Sequence, residues 1–515
     1  MKRSSTSTFV FELALVVPAC EERRLLAAFE AGRRLYNACL GEALRRLDRM
    51  RDSDAWRRAQ AMPKTLGKKP NPERRAAFKL AQHACAFTSA SISAFGTKCK
   101  NEAHWQDRLG AHETQRIAER AFVAAQEYSF GKRGRPRFKG VRRPLHSIES
   151  KTNATGIRWH AASATVQYNG LVLRALVPSE AKDKHGYASH ALACRTKYCR
   201  LVWRTIKGVR RWFVQLMQEG CPLRKYETIH DGIVGIDVGP STVAVVGSKS
   251  VALQKLAPSI QQPWAKTRRL QRAMDRSRRA TNPQCFNADG TWKRGAKVEV
   301  RSTRYEDLRC QIAESERVLF ERRKRDHGRL CNAVLAQGNI VQGEALSYKA
   351  FQRAFGRSVK VRAPGAFITQ LRRKAESAGG QFVDLDTWRL KLSQFDHTTS
   401  TYTKKPLSQR WHVLGDGSGV VQRDLYSAFL AQQVQPAENV AHPPHAVNPA
   451  WVAAHSLLRR AGWARNECAS VEGLLSTAPA LPTPERIARQ RGSTQGHGAI
   501  GLRDPLENTP RTPCL

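Results

Sequence analysis

The stretch Ile233-Val234-Gly235-Ile236-Asp237-Val238-Gly239 constrains this chain more than any other, because it reads as a buried strand broken by one carboxylate. A charge inside a Val/Ile strand costs several kcal/mol unless it is paired or held on a metal. Either the strand delivers Asp237 to a site that uses negative charge, or Asp237 caps the turn that follows. Val243 to Val246 continues as a second strand after Gly239-Pro240-Ser241.

Further acids compete to join Asp237. Glu344 ends another short strand, Asn339-Ile340-Val341-Gln342-Gly343-Glu344. Asp384 and Asp386, in Phe382-Val383-Asp384-Leu385-Asp386, offer the same role from a third strand, and periodicity does not choose between them. Asp424 opens a segment in which Leu425, Ala428 and Phe429 give an i, i+3, i+4 apolar face. An acid on an opening helical turn is also favoured by the helix dipole alone. Ala428 is small enough to let that helix approach a sheet closely. Carboxylates gathered from distant segments, with few histidines nearby, suit a hard cation such as Mg²⁺, with Mn²⁺ as a substitute. Two such ions about 3.5–4 Å apart activate a water and stabilise the departing oxygen of a phosphodiester.

The charge balance points to the same substrate. The chain carries 87 Lys and Arg against 43 Asp and Glu, a formal net charge of +44. Such an excess repels itself unless a polyanion shares the surface, so the expected partner is nucleic acid. Hydrophobic residues at 41% and 11 tryptophans exclude a wholly disordered basic tail. No apolar run approaches the roughly 20 residues needed to span a bilayer. Twelve scattered cysteines without a C-x-x-C pair indicate a reducing compartment. Met1-Lys2-Arg3 followed by Phe9 to Cys20 mimics a secretory signal, but Glu12 interrupts it. Phe9, Phe11, Leu13 and Leu15 alternate with Val10, Glu12, Ala14 and Val16, which predicts an edge strand bearing a charge. The expected location is the cytoplasm, in association with the nucleoid.

Along the chain, Glu21 to Met50 reads as a long helix with an apolar stripe through Leu25, Phe29, Tyr36, Leu40, Leu44 and Leu47. Its other face carries Arg23, Arg24, Arg33, Arg34, Arg45 and Arg46, with too few acids for a mixed surface. A Pro- and Lys-rich break precedes a second helical region, from Ala76 to Tyr128. Asn169-Gly170 between alternating apolar residues predicts a hairpin over Thr165 to Val177. A second hairpin turns at Lys207-Gly208, and short strands at this spacing predict a small barrel that recruits the N-terminal strand. Basic helical sequence then runs from Ala265 to Leu335, interrupted near Asn287-Ala288-Asp289-Gly290. From Val471 onward there is no aromatic residue, and disorder is expected.

Within that basic region, Lys266 to Arg279 holds seven Lys/Arg against Asp275, with Arg268, Arg272, Arg276 and Arg279 at helical spacing beside Arg269. Glu321 to Arg329 adds five more, including Arg322, Arg323 and Arg325, against two acids. These runs are either solvated faces or surfaces that hold a nucleic acid by its phosphates. Trp264 and Trp292 either stack on bases or pack internally.

Gly235-Ile236-Asp237-Val238-Gly239, Glu344, and Gln422-Arg423-Asp424-Leu425-Tyr426-Ser427-Ala428 together resemble the three parts of a RuvC nuclease domain. Their order and the intervening basic helices are similar to the TnpB proteins of insertion sequences and the compact type V CRISPR effectors. The likeness extends to Arg33-Arg34-Leu35-Tyr36-Asn37, Arg135-Pro136-Arg137-Phe138-Lys139 and Arg211-Trp212-Phe213-Val214-Gln215-Leu216, and so covers most of residues 8–465.

The resemblance implies an RNA-guided DNA endonuclease whose metal-binding catalytic acids are Asp237, Glu344 and Asp424. Its partners would be a guide RNA and double-stranded target DNA, with no membrane and with a second copy of the chain allowed. Arg33, Arg34, Arg135, Arg137 and Lys139 would join the arginines of the basic helices in nucleic-acid binding. The implied class is a multidomain α/β and α+β protein. A β-barrel wedge (1–20 and 131–228) surrounds a helical recognition insert (21–130), and an RNase H-like domain follows. That domain would comprise 229–264, a basic helical insertion at 265–335, then 336–391, a zinc-ribbon-like loop at 392–421 and a final part at 422–465, with a tail at 466–515. In that loop no cysteine lies between 331 and 468, so His397 and His412 are the only candidate zinc ligands and no zinc is expected. Two rival functions share these features: an RNA-guided binder that silences without cutting, and a transposase acting without RNA.

Overall fold

Two long hairpins, neighbours in sequence, build the sheet of the first of two compact units, Met1–Lys225 and Tyr226–Leu515. The computed structural model describes residues 6–66, 69–141, 143–223, 231–260, 264–296, 300–406, 408–437, 440–441 and 448–465. The tail at 466–515 and the chain at 224–230 lie outside the described residues.

In the first unit, β1 (Thr8–Val16) leads into α1 (Ala19–Asp52) and α2 (Asp54–Ala61). The short pair β2 (Thr65–Leu66) and β3 (Lys69–Pro70) precedes α3 (Pro72–Ala84), α4 (Ser89–Glu102) and α5 (Ala111–Ser129). Then come β4 (Ser147–Glu149), β5 (Arg158–His160), β6 (Thr165–Tyr168), β7 (Leu171–Leu176), α6 (Tyr187–Ala193), β8 (Thr196–Ile206) and β9 (Val209–Glu219). The antiparallel sheet has the order β4-β8-β9-β1-β7-β6-β5. Asn169 and Gly170 turn β6 into β7 at φ 48° and 71°, and Lys207 and Gly208 turn β8 into β9 at φ 51° and 79°. Two successive positive φ values match the right-handed twist of the flanking strands.

Two expectations change here. Among the described residues the strand order is open-ended, so hydrogen bonds do not close a barrel there, although β5 comes into contact with β8. And β1 is a central strand, not an edge. Its charge is tolerated there because Arg204 clasps Glu12 through two hydrogen bonds of 2.6 Å on the sheet's outer face. The inner face, with Leu13 and Leu15, shares one core with Leu25, Phe29, Leu35 and Leu40 of α1. Phe29 meets Trp212 edge-on at 5.3 Å, tying helix to sheet.

The second unit begins with β10 (Ile233–Val238), β11 (Thr242–Val246) and β12 (Val251–Lys255), an antiparallel meander. Helices α7 (Trp264–Thr281) and α8 (Thr303–Leu335) pack together before β13 (Ile340–Glu344). After α9 (Tyr348–Arg362) and α10 (Pro364–Ser377) comes β14 (Gln381–Leu385), and both β13 and β14 run parallel to β10. The sheet order β12-β11-β10-β13-β14 therefore puts β10 at its centre. One face packs Val234, Ile236 and Val341 against Leu330 and Val334 of α8 and Phe367 and Leu371 of α10.

The other face is covered by α12 (Arg423–Gln433), which follows α11 (Thr387–Leu390) and the short strands β15 (Phe395–Asp396), β16 (Thr401–Tyr402), β17 (Trp411–Val413) and β18 (Val420–Gln422). After α12 come β19 (Pro436–Ala437), β20 (Val440–Ala441), α13 (Asn448–Arg460) and β21 (Ala464–Arg465), which pairs with β18. The apolar pattern of α12 predicts one buried face, yet every residue from Leu425 to Ala431 is buried. The reason is its position: the sheet lies on one side, and Trp451 of α13 meets Phe429 at 5.0 Å on another. Among the described residues, no helix is long and apolar enough to cross a membrane.

Candidate active site

Asp237 lies one residue from the end of β10, and the register Ile236↔Gly343 places Glu344 beside it at the end of β13. Side chains alternate along a strand, so Gly235 and Asp237 share a face. That face meets α12, because a Cβ on Gly235 would fall 1.9 Å from the Ala428 carbonyl oxygen. The close approach sets the opening turn of α12, and with it Asp424, over the carboxyl end of the central strand.

The electrostatics tie the three acids together. Asp237 keeps part of its surface in solvent. Protein nevertheless packs densely around it, and burial is the first cause that pushes its carboxyl well above the usual range. The charges of Asp424 and then Glu344 push it further, with Arg423 opposing them. Glu344 is also raised by burial, partly offset by the Leu392 backbone amide. Its Oε1 is buried without a hydrogen-bond partner. Asp424 has Arg410 Nη1 at 3.8 Å from its Oδ2. The result is a carboxylate donor set with an orphaned oxygen and little cationic compensation, which is the chemistry a divalent cation satisfies. Among the described residues, no group of three or more His, Cys, Asp or Glu is drawn together tightly enough to grip an ion as it stands.

The rival acids are accounted for elsewhere. Asp384 accepts a 2.7 Å bond from Arg372, and Asp386 caps α11 through the amides of Trp388 and Arg389. Of the acids on these strands, only Glu344 lies next to Asp237 in the parallel register.

His397 and His412 are each hydrogen-bonded to other residues. His412 Nε2 lies 3.1 Å from Asp396 Oδ2 in a buried pair. His397 Nδ1 is 2.7 Å from the Tyr426 hydroxyl, which also accepts from the His397 amide. Asp396 further accepts from the amides of Thr398 and Gly415. A polar network thus holds residues 395–415 against α12. Its sequence signal, the pair of histidines, is visible, but their acidic and phenolic partners are not.

The expected basic residues divide into structural and free. Arg33 and Arg34 share Glu30, and Arg45 and Arg46 share Glu42, so the arginine face of α1 is a mixed surface after all. Arg33 also donates to the Lys139 carbonyl at 2.6 Å, and the Lys139 ammonium lies over the Tyr36 ring. Both residues pin the 139 loop to α1. Arg135 pairs loosely with Asp48 at 3.5 Å, and Arg137 is exposed.

In the second unit, Arg268, Arg269, Arg272 and Arg276 are exposed on α7, and none forms an ion pair among the described residues. Arg279 is half-buried against Gly290. Arg322 and Arg325 are exposed, whereas Arg323 donates to the carbonyls of Lys360 and Val361 at the end of α9. Trp264 lies beneath Lys360, and Trp292 packs on Arg278 and Phe286. A cleft of about 780 Å³ in this unit is lined by Thr398, Trp451, His455 and Arg459 and includes none of the three acids.

The chain matches no protein-family model and no curated protein. Among solved structures it is similar to a Cas12f1–sgRNA–target DNA complex, with 10% identity over 82% of this chain and 98% of that one, at a TM-score of 0.42. A CRISPR-Cas12f ternary complex gives 11% identity over 76% and 91% of the two chains, at a TM-score of 0.22.

Proposed function

We propose that this chain is an RNA-guided DNA endonuclease that cuts target phosphodiesters with Mg²⁺, or Mn²⁺ in its place, at Asp237, Glu344 and Asp424. One observation carries the reading: two parallel strands and a helix bring Glu344 and Asp424 close enough to Asp237 to raise its charge cost, in a chain of net charge +44. When bound, the ions would lower the pKa of an attacking water and stabilise the departing oxygen. Asp237, on the central strand, would anchor them. Glu344 brings an unsatisfied buried oxygen, and Asp424 arrives on a helix locked against β10. Arg410, half-exposed beside Asp424, could meet the phosphate, whereas Arg423 donates to the Pro406 and Gln409 carbonyls. The network around Asp396 and His412 stands where a zinc ribbon is expected, so this reading needs no zinc.

A guide RNA is part of the proposal because a hybrid held through its phosphates suits an exposed, unpaired arginine row. Replacing Arg268, Arg269, Arg272 and Arg276 together by Ala should lower the salt slope of nucleic-acid binding by about 0.9 for each phosphate left without its cation. Arg33→Ala, which removes hydrogen bonds internal to the fold, should leave the slope unchanged. Binding titrations at about 50 and 200 mM salt check this, and equal slopes for the quadruple variant and the parent reject that role.

The rival reading, a guided binder that does not cut, draws on the open arrangement of the acids. The deciding experiment is to recover any RNA that co-purifies, program it against a DNA target and assay cleavage with Mg²⁺ and with EDTA. Guided binding without cutting selects the binder. Metal-dependent DNA joining without RNA selects the transposase.

A further inference from the structure

Trp388 is 86% exposed, while each of the other ten tryptophans is buried or half-buried. Leaving an indole in water forgoes one of the largest hydrophobic gains a side chain offers. Its mounting is firm. Asp386 caps α11 by accepting from the amides of Trp388 and Arg389. Thr387 Oγ1 donates to the Ala345 carbonyl at 3.1 Å, and the Ala345 amide donates to the Leu385 carbonyl. The turn closes at Lys391, whose φ of 43° is left-handed in a residue that is not glycine.

The position of this turn gives the exposure its meaning. Ala345 follows Glu344 directly, and the Leu392 amide at the far end of the turn reaches the Glu344 carboxylate. An exposed indole on an anchored turn therefore stands close in the fold to Glu344, flanked by exposed Arg389 and Lys391. An aromatic face between cations, beside acids that would hold metal, is the arrangement that grips single-stranded nucleic acid: rings stack on bases while cations track phosphates.

We infer that Trp388 is a stacking platform for a nucleobase of single-stranded DNA entering the site, and that it registers the neighbouring phosphate against Asp237, Glu344 and Asp424. It is a positioning residue, and the inference rests on the endonuclease reading above.

The test uses the full chain in EDTA with single-stranded DNA oligonucleotides that each carry one 2-aminopurine, its position stepped along the strand. The parental protein quenches the fluorophore severalfold at one or two positions. Trp388→Ala abolishes that quench and weakens binding about tenfold, with an unchanged salt slope because the same phosphates remain neutralised. Trp388→Phe restores both. Parental quenching and affinity in Trp388→Ala overturn the inference. So does a lowered melting temperature in that variant, which would place the indole in a protein contact, or a failure of Phe to rescue a folded protein. Cleavage with Mg²⁺ is scored separately. Trp388-dependent quenching in a protein that never cuts rejects only the endonuclease reading, and cutting without such quenching rejects only the stacking platform.

Discussion

Asp237→Ala is expected to give a protein that folds, binds its guide and target, and does not cut. In the proposed site, removing the central carboxylate would take away the anchor of ions that would supply several kcal/mol of transition-state charge stabilisation. At about 1.4 kcal/mol per decade, that is a loss of roughly a thousandfold or more in cleavage rate. On the proposed reading, binding should persist because it would rest on phosphate contacts made elsewhere, by the exposed arginines of α7. Parental cutting by this variant rejects the site.

The same substitution has a second, independent signature in stability. Burial first, then Asp424 and Glu344, raise the folded-state pKa of Asp237 above its unfolded value. The folded protein therefore binds the proton more tightly. That contribution is complete below the unfolded carboxylate range, near pH 4, and is lost as pH rises through the raised pKa. In EDTA, melting temperatures of the parent should fall relative to Asp237→Ala as pH increases from about 5 to 8. Mg²⁺ should then raise the parent and leave the variant unmoved. Parallel melting curves across that range in EDTA would remove the electrostatic argument for the cluster.

Gly235→Ala, a single added methyl group, is expected to disable the second unit. The new Cβ would lie 1.9 Å from the Ala428 carbonyl oxygen and 2.6 Å from the Gln432 amide nitrogen. Both are backbone atoms of α12, so no side-chain rotation relieves the clash and the helix must lift. Lifting it loosens the packing of Leu425, Phe429 and Leu430 and breaks the Gln432 bond to the Ile233 carbonyl. The cost is about 3 kcal/mol or more, above the usual range for an overpacked core because the obstacle is main chain. Chemical denaturation and hydrogen exchange of the α12 amides should both report it. Cleavage should fall as well, because Asp424 travels with the helix. A Gly235→Ala protein with parental stability and parental activity would falsify the close-packing account.

Local signals carried much of this protein. The Asn169-Gly170 and Lys207-Gly208 turns are legible because two successive positive φ values demand particular residues. The register of those hairpins follows from alternation. Asp237 is conspicuous for a similar reason: a lone carboxylate in an apolar strand is a local anomaly that needs no knowledge of its neighbours. Glu12 shows where such reasoning stops. Its charge predicts an edge strand, but Arg204, far along the chain, lets it sit in the middle of the sheet.

The residue pattern by itself determined that a carboxylate-bearing strand lies in a strongly basic α/β protein, and that a small-residue helix carries a second acid. Only the tertiary structure decided which third acid stands beside Asp237, since Glu344, Asp384 and Asp386 are equivalent in pattern and differ only in register and partners. It also decided which arginines are free, separating Arg33 on Glu30 from Arg268 in solvent. And it revealed Gly235 as the seat of α12 and Trp388 as an exposed ring close in the fold to Glu344. The physical reason is common to all of these. Periodicity and turn chemistry are properties of adjacent residues, whereas ion pairing, burial and close approach are sums over whatever distant segments the fold brings near.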